Sequence, residues 1–319
     1  MEVGMAATQI IAVIGATGAQ GGGLVRAMLA DKERRFVPRA ITRNPNSDRG
    51  RELAAAGAEV VQADADAPES LRTAFAGAYG AFCVTNFWEH FSPERELAQA
   101  TALADAAGAA GVKHVIWSTL EDTRRWVPLD DPRLPTLQGK YKVAHFDAKG
   151  EADARFVARA PTTLLLTSFY WDNLIHFGMG PKRDASGTLT LTLPMGDAKL
   201  PGIAVEDIGK CAYGIFRRGD EFIGRTVGIA GEHLSGAEMA AELSKALGEP
   251  VRYDAISPEV YRGLGFPGAD DLGNMFQFNR DFAADFRAAR PVALARELNP
   301  QLQTFREWLA RNRDRIPRG

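Results

Sequence analysis

The stretch QIIAVIGATGAQGGGLVRAMLAD, residues 9–31, decides the fold. Ile10 to Ile14 form an unbroken apolar run, the pattern of a strand buried on both faces. Gly15 to Gly21 then spell G-x-x-G-x-x-G, and a helix that buries Leu24 and Met28 follows. A strand, a glycine-rich turn and a helix in that order suit a phosphate. Glycines let the backbone approach the ligand closely, and the helix start offers free N–H groups with a partial positive charge. Gly15 is expected to make the tight turn, Gly18 to admit a pyrophosphate and Gly21 to let the helix pack closely on the strand. Thr17, Ala19 and Gln20 share the turn and are cofactor-binding candidates with it. The same glycines also suit an ordinary βα turn, so the context has to decide.

Outward from this unit, strand and helix patterns alternate. FVPRAIT (36–42), AEVVQAD (58–64), AYGAFCVT (78–85), KHVIWST (113–119) and TTLLLTS (162–168) read as strands. Helical patterns separate them, from Asp48 to Ala56, at SLRTAFAG (70–77), over 94–110 and around 141–151. Pro38 stands near the start of its strand, where a missing N–H does least harm. This alternation predicts an α/β fold with a doubly wound parallel sheet. The polar loop 120–138, with Pro128, Pro132 and Pro135, is long for a compact domain and is expected to serve a site or to move. After Ser168 the rhythm changes. Residues 170–204 are rich in Gly, Pro and aromatics, and helical patterns return at 205–216, 236–248 and near 303–313, with a strand at RTVGIA (225–230). The expected organisation is a nucleotide-binding domain over 1–169, its sheet completed by about 205–245, and a smaller α+β C-terminal lobe over 170–319 interleaved with it.

Composition bounds the function. The chain has 319 residues, 45% apolar and 24% charged, with a formal net charge of −2. Nucleic-acid and membrane-surface binders carry a basic excess, which this chain lacks. Two cysteines, Cys83 and Cys211, make neither a disulfide framework nor a metal spacing, and Cys83 in the apolar run AFCVT reads as a buried inert thiol. No apolar run reaches the about 18 residues of a membrane span, and MEVGMAAT is too short and mixed for a signal peptide. The expectation is a soluble cytoplasmic protein without metal, nucleic acid or membrane partner.

The end of the second strand usually separates NAD from NADP. A carboxylate there binds the ribose 2′-hydroxyl, whereas an Arg accommodates the 2′-phosphate. Here the stretch is AITRNP, with Arg43 at the expected place and no acid, which favours NADP(H) over a mere surface Arg. Asp64, at the end of the third strand, is placed either to meet the adenine amino group or to cap the next turn.

GATGAQGG, TRNP, GAEVVQAD, VTNFWE, HFDAKGE and LGFPGADDLGNMF, in this order along nearly the whole chain, resemble NmrA-like proteins, a branch of the atypical short-chain dehydrogenase/reductases. The resemblance is strongest to the subgroup called NmrA-like family domain-containing protein 1, or HSCARG. It implies a Rossmann-type NADP domain with a small C-terminal lobe and the nicotinamide in the crevice between them. It implies that Val84, Thr85, Asn86 and Phe87 line the cofactor, and that Phe169, Tyr170 and Asn173 of SFYWDNL border the pocket. Read bare, Phe169, Tyr170 and Trp171 are equally interlobe packing. The resemblance also implies a functional split between reductases and proteins that bind NADP(H) without known turnover and act as redox sensors or regulators.

Short-chain dehydrogenases generally use Ser, Tyr and Lys, with the Tyr as proton donor in Tyr-x-x-x-Lys. Ser118 and Lys149 match two of the three, and His145 takes the Tyr position. Tyr starts near a pKa of about 10 and a nearby ammonium brings it into range, whereas His starts near about 6.5 and the same ammonium pushes it lower. His145 is thus a poorer acid for a ketone oxygen, still able to relay a proton, and a structural, hydrogen-bonded helix His is the favoured reading. Tyr141 is eight residues before Lys149, ~12 Å along a helix, too far for the usual pair, and reads as a residue of the site mouth or of packing. Asp147 and Glu151 are expected on the solvated side of the helix. Two functions of different class follow. One is an NADP(H) sensor or regulator acting through a protein partner or a second copy. The other is an NADPH-dependent reductase of a small carbonyl or quinone-type substrate, using Lys149 and Ser118 under a lid formed by loop 120–138.

Overall fold

The computed structural model describes residues 8–319; the segment MEVGMAA, with the reading placed on it above, lies outside them. A seven-stranded sheet is built from β1 (Gln9–Val13), β2 (Phe36–Thr42), β3 (Glu59–Gln62), β4 (Gly80–Cys83), β5 (His114–Thr119), β6 (Thr162–Leu166) and a late strand, Thr226–Gly228. Its order, starting from the late strand, is β6-β5-β4-β1-β2-β3, and β1 pairs parallel with both β2 and β4. This is the Rossmann-like α/β fold expected from the alternation. β2 tolerates Pro38 because that residue faces β1 at Ile11, while the pairing with β3 begins only at Arg39.

Four helices follow the first four strands: α1 (Ala19–Ala30), α2 (Asp48–Ala55), α3 (Pro68–Phe75) and α4 (Pro93–Ala109). α5 (Ala144–Arg159) links β5 to β6. The sheet core is a cluster of small and aromatic side chains, including Ala12, Phe75, Cys83, Leu103, Trp117 and Phe156, with Trp117 and Phe156 stacked at 4.4 Å. Burial pushes the Cys83 thiol pKa well up, as an inert thiol requires.

The remaining elements are β7 (Phe169–Tyr170), α6 (Asn173–His176), β8 (Lys182–Arg183), β9 (Leu189–Thr192), β10 (Leu200–Ile203), α7 (Val205–Arg217), β11 (the late strand Thr226–Gly228), β12 (Glu232–Leu234), α8 (Gly236–Leu247), β13 (Val251–Asp254), α9 (Pro258–Arg262), α10 (Ala269–Asp281), α11 (Ala283–Ala288), α12 (Val292–Leu298) and α13 (Phe305–Asn312). They include two three-stranded sheets, β12-β10-β7 and β13-β9-β8.

By packing, the chain divides into two compact units. The first holds the chain through Thr119, Glu151–Leu165 and Ile208–Thr226. The second holds Leu120–Gly150, Leu166–Asp207 and Val227–Gly319. Within the first, α7 lies backbone to backbone on α1. A Cβ on Gly209 would stand 2.1 Å from the Leu24 backbone nitrogen, so only glycine fits the crossing. Within the second, Trp171, Phe305 and Trp308 form an aromatic centre, and Arg290, fully buried, bonds Glu121 and the Thr167 carbonyl. No helix among the described residues is long and apolar enough to cross a membrane.

Candidate dinucleotide site

In the first unit the strand order changes direction at β1. β2 and β3 lie on one side of it and β4, β5 and β6 on the other, so the chain leaves β1 and β4 in opposite senses and opens a crevice beyond their C-terminal ends. The glycine turn sits there. Gly15 takes φ +64°, a left-handed conformation that excludes most side chains, and the Gly18 N–H closes the turn on the Gly15 carbonyl at 2.8 Å. A Cβ on Gly21 would stand 2.6 Å from the Gly15 carbonyl oxygen, against rigid backbone. Gly18 is the N-cap of α1 and makes no side-chain cap, and the first turn of α1 carries no acid. The N–H groups at this helix start therefore face the crevice with no carboxylate of α1's own first turn on them. Thr17 is half-buried, Gly18 and Ala19 are exposed and Gln20 is buried. Arg49 Nη1 donates to the Thr17 carbonyl at 3.0 Å, a neighbour of the turn that the sequence pattern did not single out.

The end of β4 stands beside the turn. A Cβ on Gly15 would meet Val84 Cγ1 at 3.2 Å. Thr85, buried, donates to Glu96 Oε1 at 2.6 Å, and Glu96 is a fully buried carboxylate on the first turn of α4 with His90 Nε2 at 3.5 Å from its other oxygen. Glu96 was not legible as a site residue, because an acid at a helix start ordinarily reads as a dipole partner. Phe87 is buried and packs edge-on against Trp88 and Phe91.

Arg43 stands at the end of β2 as expected, but it has a protein partner. Its two terminal nitrogens donate to the two carboxylate oxygens of Glu89, at 2.8 and 3.0 Å. Burial pushes the Glu89 carboxyl up, but bonds from Arg43 and Asn86 outweigh it and hold the group below its ordinary range. Asp64 Oδ1 accepts the Asp66 N–H at 3.0 Å, so the turn-capping role is present at that position. Its neighbour Asp66 is tied by Arg95 and Gln99. Ser118 is buried near the end of β5.

His145, Lys149, Tyr170 and Asn173 belong to the second unit. His145 and Lys149 lie one turn apart on α5, and both are buried. His145 Nδ1 bonds Asp271 Oδ2, and Asp271 Oδ1 accepts the Ala144 N–H. The partner lies on α10, 126 residues away, where no local signal marks it. Tyr170 pairs with Ile203 between β7 and β10, and Asn173 opens α6.

Two readings around this helix need correction. Tyr141 is not on the helical face with His145 and Lys149. α5 begins at Ala144, and Tyr141 is buried before it, bridged to Leu137 and flanked by the Arg124 and Lys140 cations. Asp147 is not solvated. It is fully buried and accepts from the Thr123 N–H (2.8 Å), the Thr123 hydroxyl (2.6 Å) and the Lys142 and Val143 N–H groups (2.7 and 3.2 Å). Burial pushes its carboxyl pKa up against the pull of those bonds. Glu151 is exposed, as expected.

The loop 120–138 is held from within the same unit. Lys142, fully buried, donates to the Asp131 and Leu134 carbonyls and to Thr136 Oγ1. Asn274 and Gln277, at i+3 and i+6 from Asp271 on one face of α10, donate to the Pro135 and Arg133 carbonyls at 2.9 and 2.8 Å. Arg262 bonds the carbonyl oxygens of both amides, which turns their NH₂ groups to the loop.

Comparison with known proteins agrees with this architecture. The NmrA-like family model matches residues 7–309. The NmrA-like family domain-containing oxidoreductase FrzB of a Cladobotryum species is 31% identical, over 94% of this chain and 96% of that protein. Among solved structures, NmrA, a negative transcriptional regulator, in complex with NADP shares 23% identity with a TM-score of 0.75 over 95% of this chain and 94% of its own, and the same regulator has also been solved with NAD. The Citrobacter sp. triphenylmethane reductase complexed with NADP(H) shares 20% identity with a TM-score of 0.72, covering 95% and 99% of the two chains. A Rossmann-like sheet with a glycine turn at its switch point, matched along almost the full length by one family model and one curated relative, shows that the chain belongs to the NmrA-like family.

Proposed function

We propose that this protein binds NADP(H) at the C-terminal ends of β1, β2 and β4 and acts as a redox-state sensor or regulator with little or no dehydrogenase turnover, in the manner of the HSCARG subgroup. The residues fit the group. Gly21 admits no Cβ, so α1 packs tightly on the turn; Gly18 and Ala19 are exposed and no acid stands in the first turn of α1, which supports a pyrophosphate on the N–H donors there. Arg43 is the reader of the 2′-phosphate, Asp64 the neighbour of the adenine, and Thr85, Asn86, Phe87, Tyr170 and Asn173 the lining toward the nicotinamide. Lys149 holds the nicotinamide ribose.

The observation that carries the sensor reading is the state of His145. Read as the counterpart of the usual proton donor, it has its ring fastened to Asp271 at the start of α10. A histidine used as a fastener between elements suits a protein that changes its partner surface with the cofactor rather than one that protonates a ketone. The partner is a protein or a second copy of this chain, and the cytoplasm is the compartment proposed, in keeping with two buried cysteines that form no disulfide. Size-exclusion chromatography and partner-binding measurements with and without NADPH and NADP+ test it. Oligomeric state and partner affinity that do not respond to either cofactor would refute the sensor.

A second reading, an NADPH-dependent reductase of a small carbonyl or quinone-type acceptor, is supported by FrzB, which is named an oxidoreductase, and by the same His–carboxylate pair. An Asp on Nδ1 fixes the imidazole orientation and stabilises its cation. Bound NADPH would supply the hydride. This chain's part would be to orient the acceptor at Ser118, to hold the ribose with Lys149 and to pass a proton through His145. NADPH oxidation across an acceptor panel, lost in Lys149→Ala, supports this reading; binding without oxidation of any acceptor rejects it for that panel.

A further inference from the structure

The 2′-phosphate reader is already holding an anion. Arg43 and Glu89 meet fork to fork, two nitrogens on two oxygens, the same planar geometry in which a guanidinium takes a phosphate. Glu89 is 46 residues from Arg43 and closes the short turn Phe87–Glu89 that follows β4. That turn carries Asn86, whose Nδ2 donates to Glu89 Oε1 at 3.2 Å. The pair is exposed, with side-chain accessibilities of 60% for Arg43 and 44% for Glu89, so it opens at little cost and neither residue supports the core.

We propose that Glu89 is an internal stand-in for the 2′-phosphate, which NADP(H) displaces from Arg43 and NAD(H) does not. This rests on the reading of Arg43 as the 2′-phosphate ligand. One guanidinium cannot offer the same fork to two anions, and a phosphate beside the retained carboxylate would be repelled by it. The swap removes the Arg43 bonds from Glu89, the carboxylate on which the Asn86 amide is held, and so loosens the turn from the end of β2. Two consequences follow. Glu89 weakens the preference for NADP(H), making it a specificity-determining residue for the cofactor. The presence of the 2′-phosphate is also transmitted from the end of β2 to the turn after β4, which gives the protein a structural distinction between NADPH and NADH independent of redox state.

The test is isothermal titration calorimetry with NADPH, NADH, 2′,5′-ADP and 5′-AMP, together with hydrogen exchange of the peptide over residues 84–92. Glu89→Gln keeps the shape and removes the charge. It is expected to tighten NADPH and 2′,5′-ADP about two- to fivefold, the range of an exposed ion pair, and to leave NADH and 5′-AMP unchanged. The 84–92 peptide of the wild-type protein is expected to exchange faster in the NADPH complex than in the NADH complex. Unchanged or weaker NADPH binding by Glu89→Gln, or identical exchange in the two complexes, overturns the proposal. Arg43→Ala separates the two levels. If it abolishes the advantage of NADPH over NADH while Glu89→Gln does nothing, only the stand-in role fails. If that advantage survives Arg43→Ala, the assignment of Arg43 fails and the stand-in falls with it.

Discussion

Two helix starts in this molecule are built on opposite plans. α1 begins at Gly18 with no side-chain cap and no acid in its first turn. α5 begins under two buried carboxylates: Asp147 takes the Lys142 and Val143 N–H groups, and Asp271 takes that of Ala144. Both starts present the same unsatisfied donors and the same positive end of a helix dipole. The second is neutralised by the protein and used to fasten a loop, and the first has no cap or acid of its own. The phosphate site is proposed at the first because glycines stand there in place of the acids and caps that fill the second.

The strongest way to break the comparison is to unfasten α5. Asp147→Ala leaves four buried donors, from Thr123, Lys142 and Val143, without an acceptor, and is expected to destabilise the protein by about 3 kcal/mol or more. Urea unfolding followed by tryptophan fluorescence reads this, and a loss below about 1 kcal/mol would show that the network is dispensable.

Making α1 resemble α5 is the converse. Gly18 sits in extended backbone, φ −93° and ψ −172°, which an N-cap aspartate adopts, and its added Cβ would press on the Gly15 carbonyl oxygen at 3.1 Å. Gly18→Asp is expected to cost no more than about 1 kcal/mol, the new cap offsetting the tight Cβ contact, and to weaken NADPH on the order of a hundredfold, because the carboxylate occupies the donors proposed for the pyrophosphate. Calorimetry and a thermal melt together check it. Retained binding would remove the bare helix start from the site.

Acid separates the first unit from its histidine. His114 is fully buried on β5, bonds Thr163 through Nε2 and has its pKa lowered by burial to about 4. The unfolded chain takes up this proton near about 6.5 and the folded one only near 4, so more protons are bound unfolded between these values and stability falls as pH falls through the window. A loss of about 2 kcal/mol by pH 5 is expected, and His114→Gln flattens that slope. Equal slopes in the two proteins would assign the acid loss elsewhere.

The smallest effect is at the His145 fastener. Asp271→Asn keeps an acceptor for the Ala144 N–H and removes the charge from His145, at a cost of about 1 kcal/mol. Under the sensor reading NADPH affinity stays and the partner response weakens; under the reductase reading turnover drops at least about tenfold with the melting temperature little changed.

The sheet was legible because its signal is local. An apolar run, a glycine turn and a helix follow one another within about 20 residues, and six such strand patterns appear in the positions found. The glycine turn and Arg43 at the end of β2 were equally local. Asp271, Glu89 and Glu96 were not: each reads as an ordinary surface-type acid, and only the fold sets Asp271 on His145, Glu89 on Arg43 and Glu96 on Thr85. Asp147 and Tyr141 were misread for a related reason. The helical period extends their spacing onto one cylinder, but α5 starts only at Ala144, where Asp271 caps it from α10. The sequence by itself determined the order of strands, the family and the chemistry available at the turn, because hydrophobic period and glycine geometry act over a few residues. Only the tertiary structure decided which carboxylates fill which donors, because burying a charge makes its partner obligatory, and for His145 that partner came from 126 residues away.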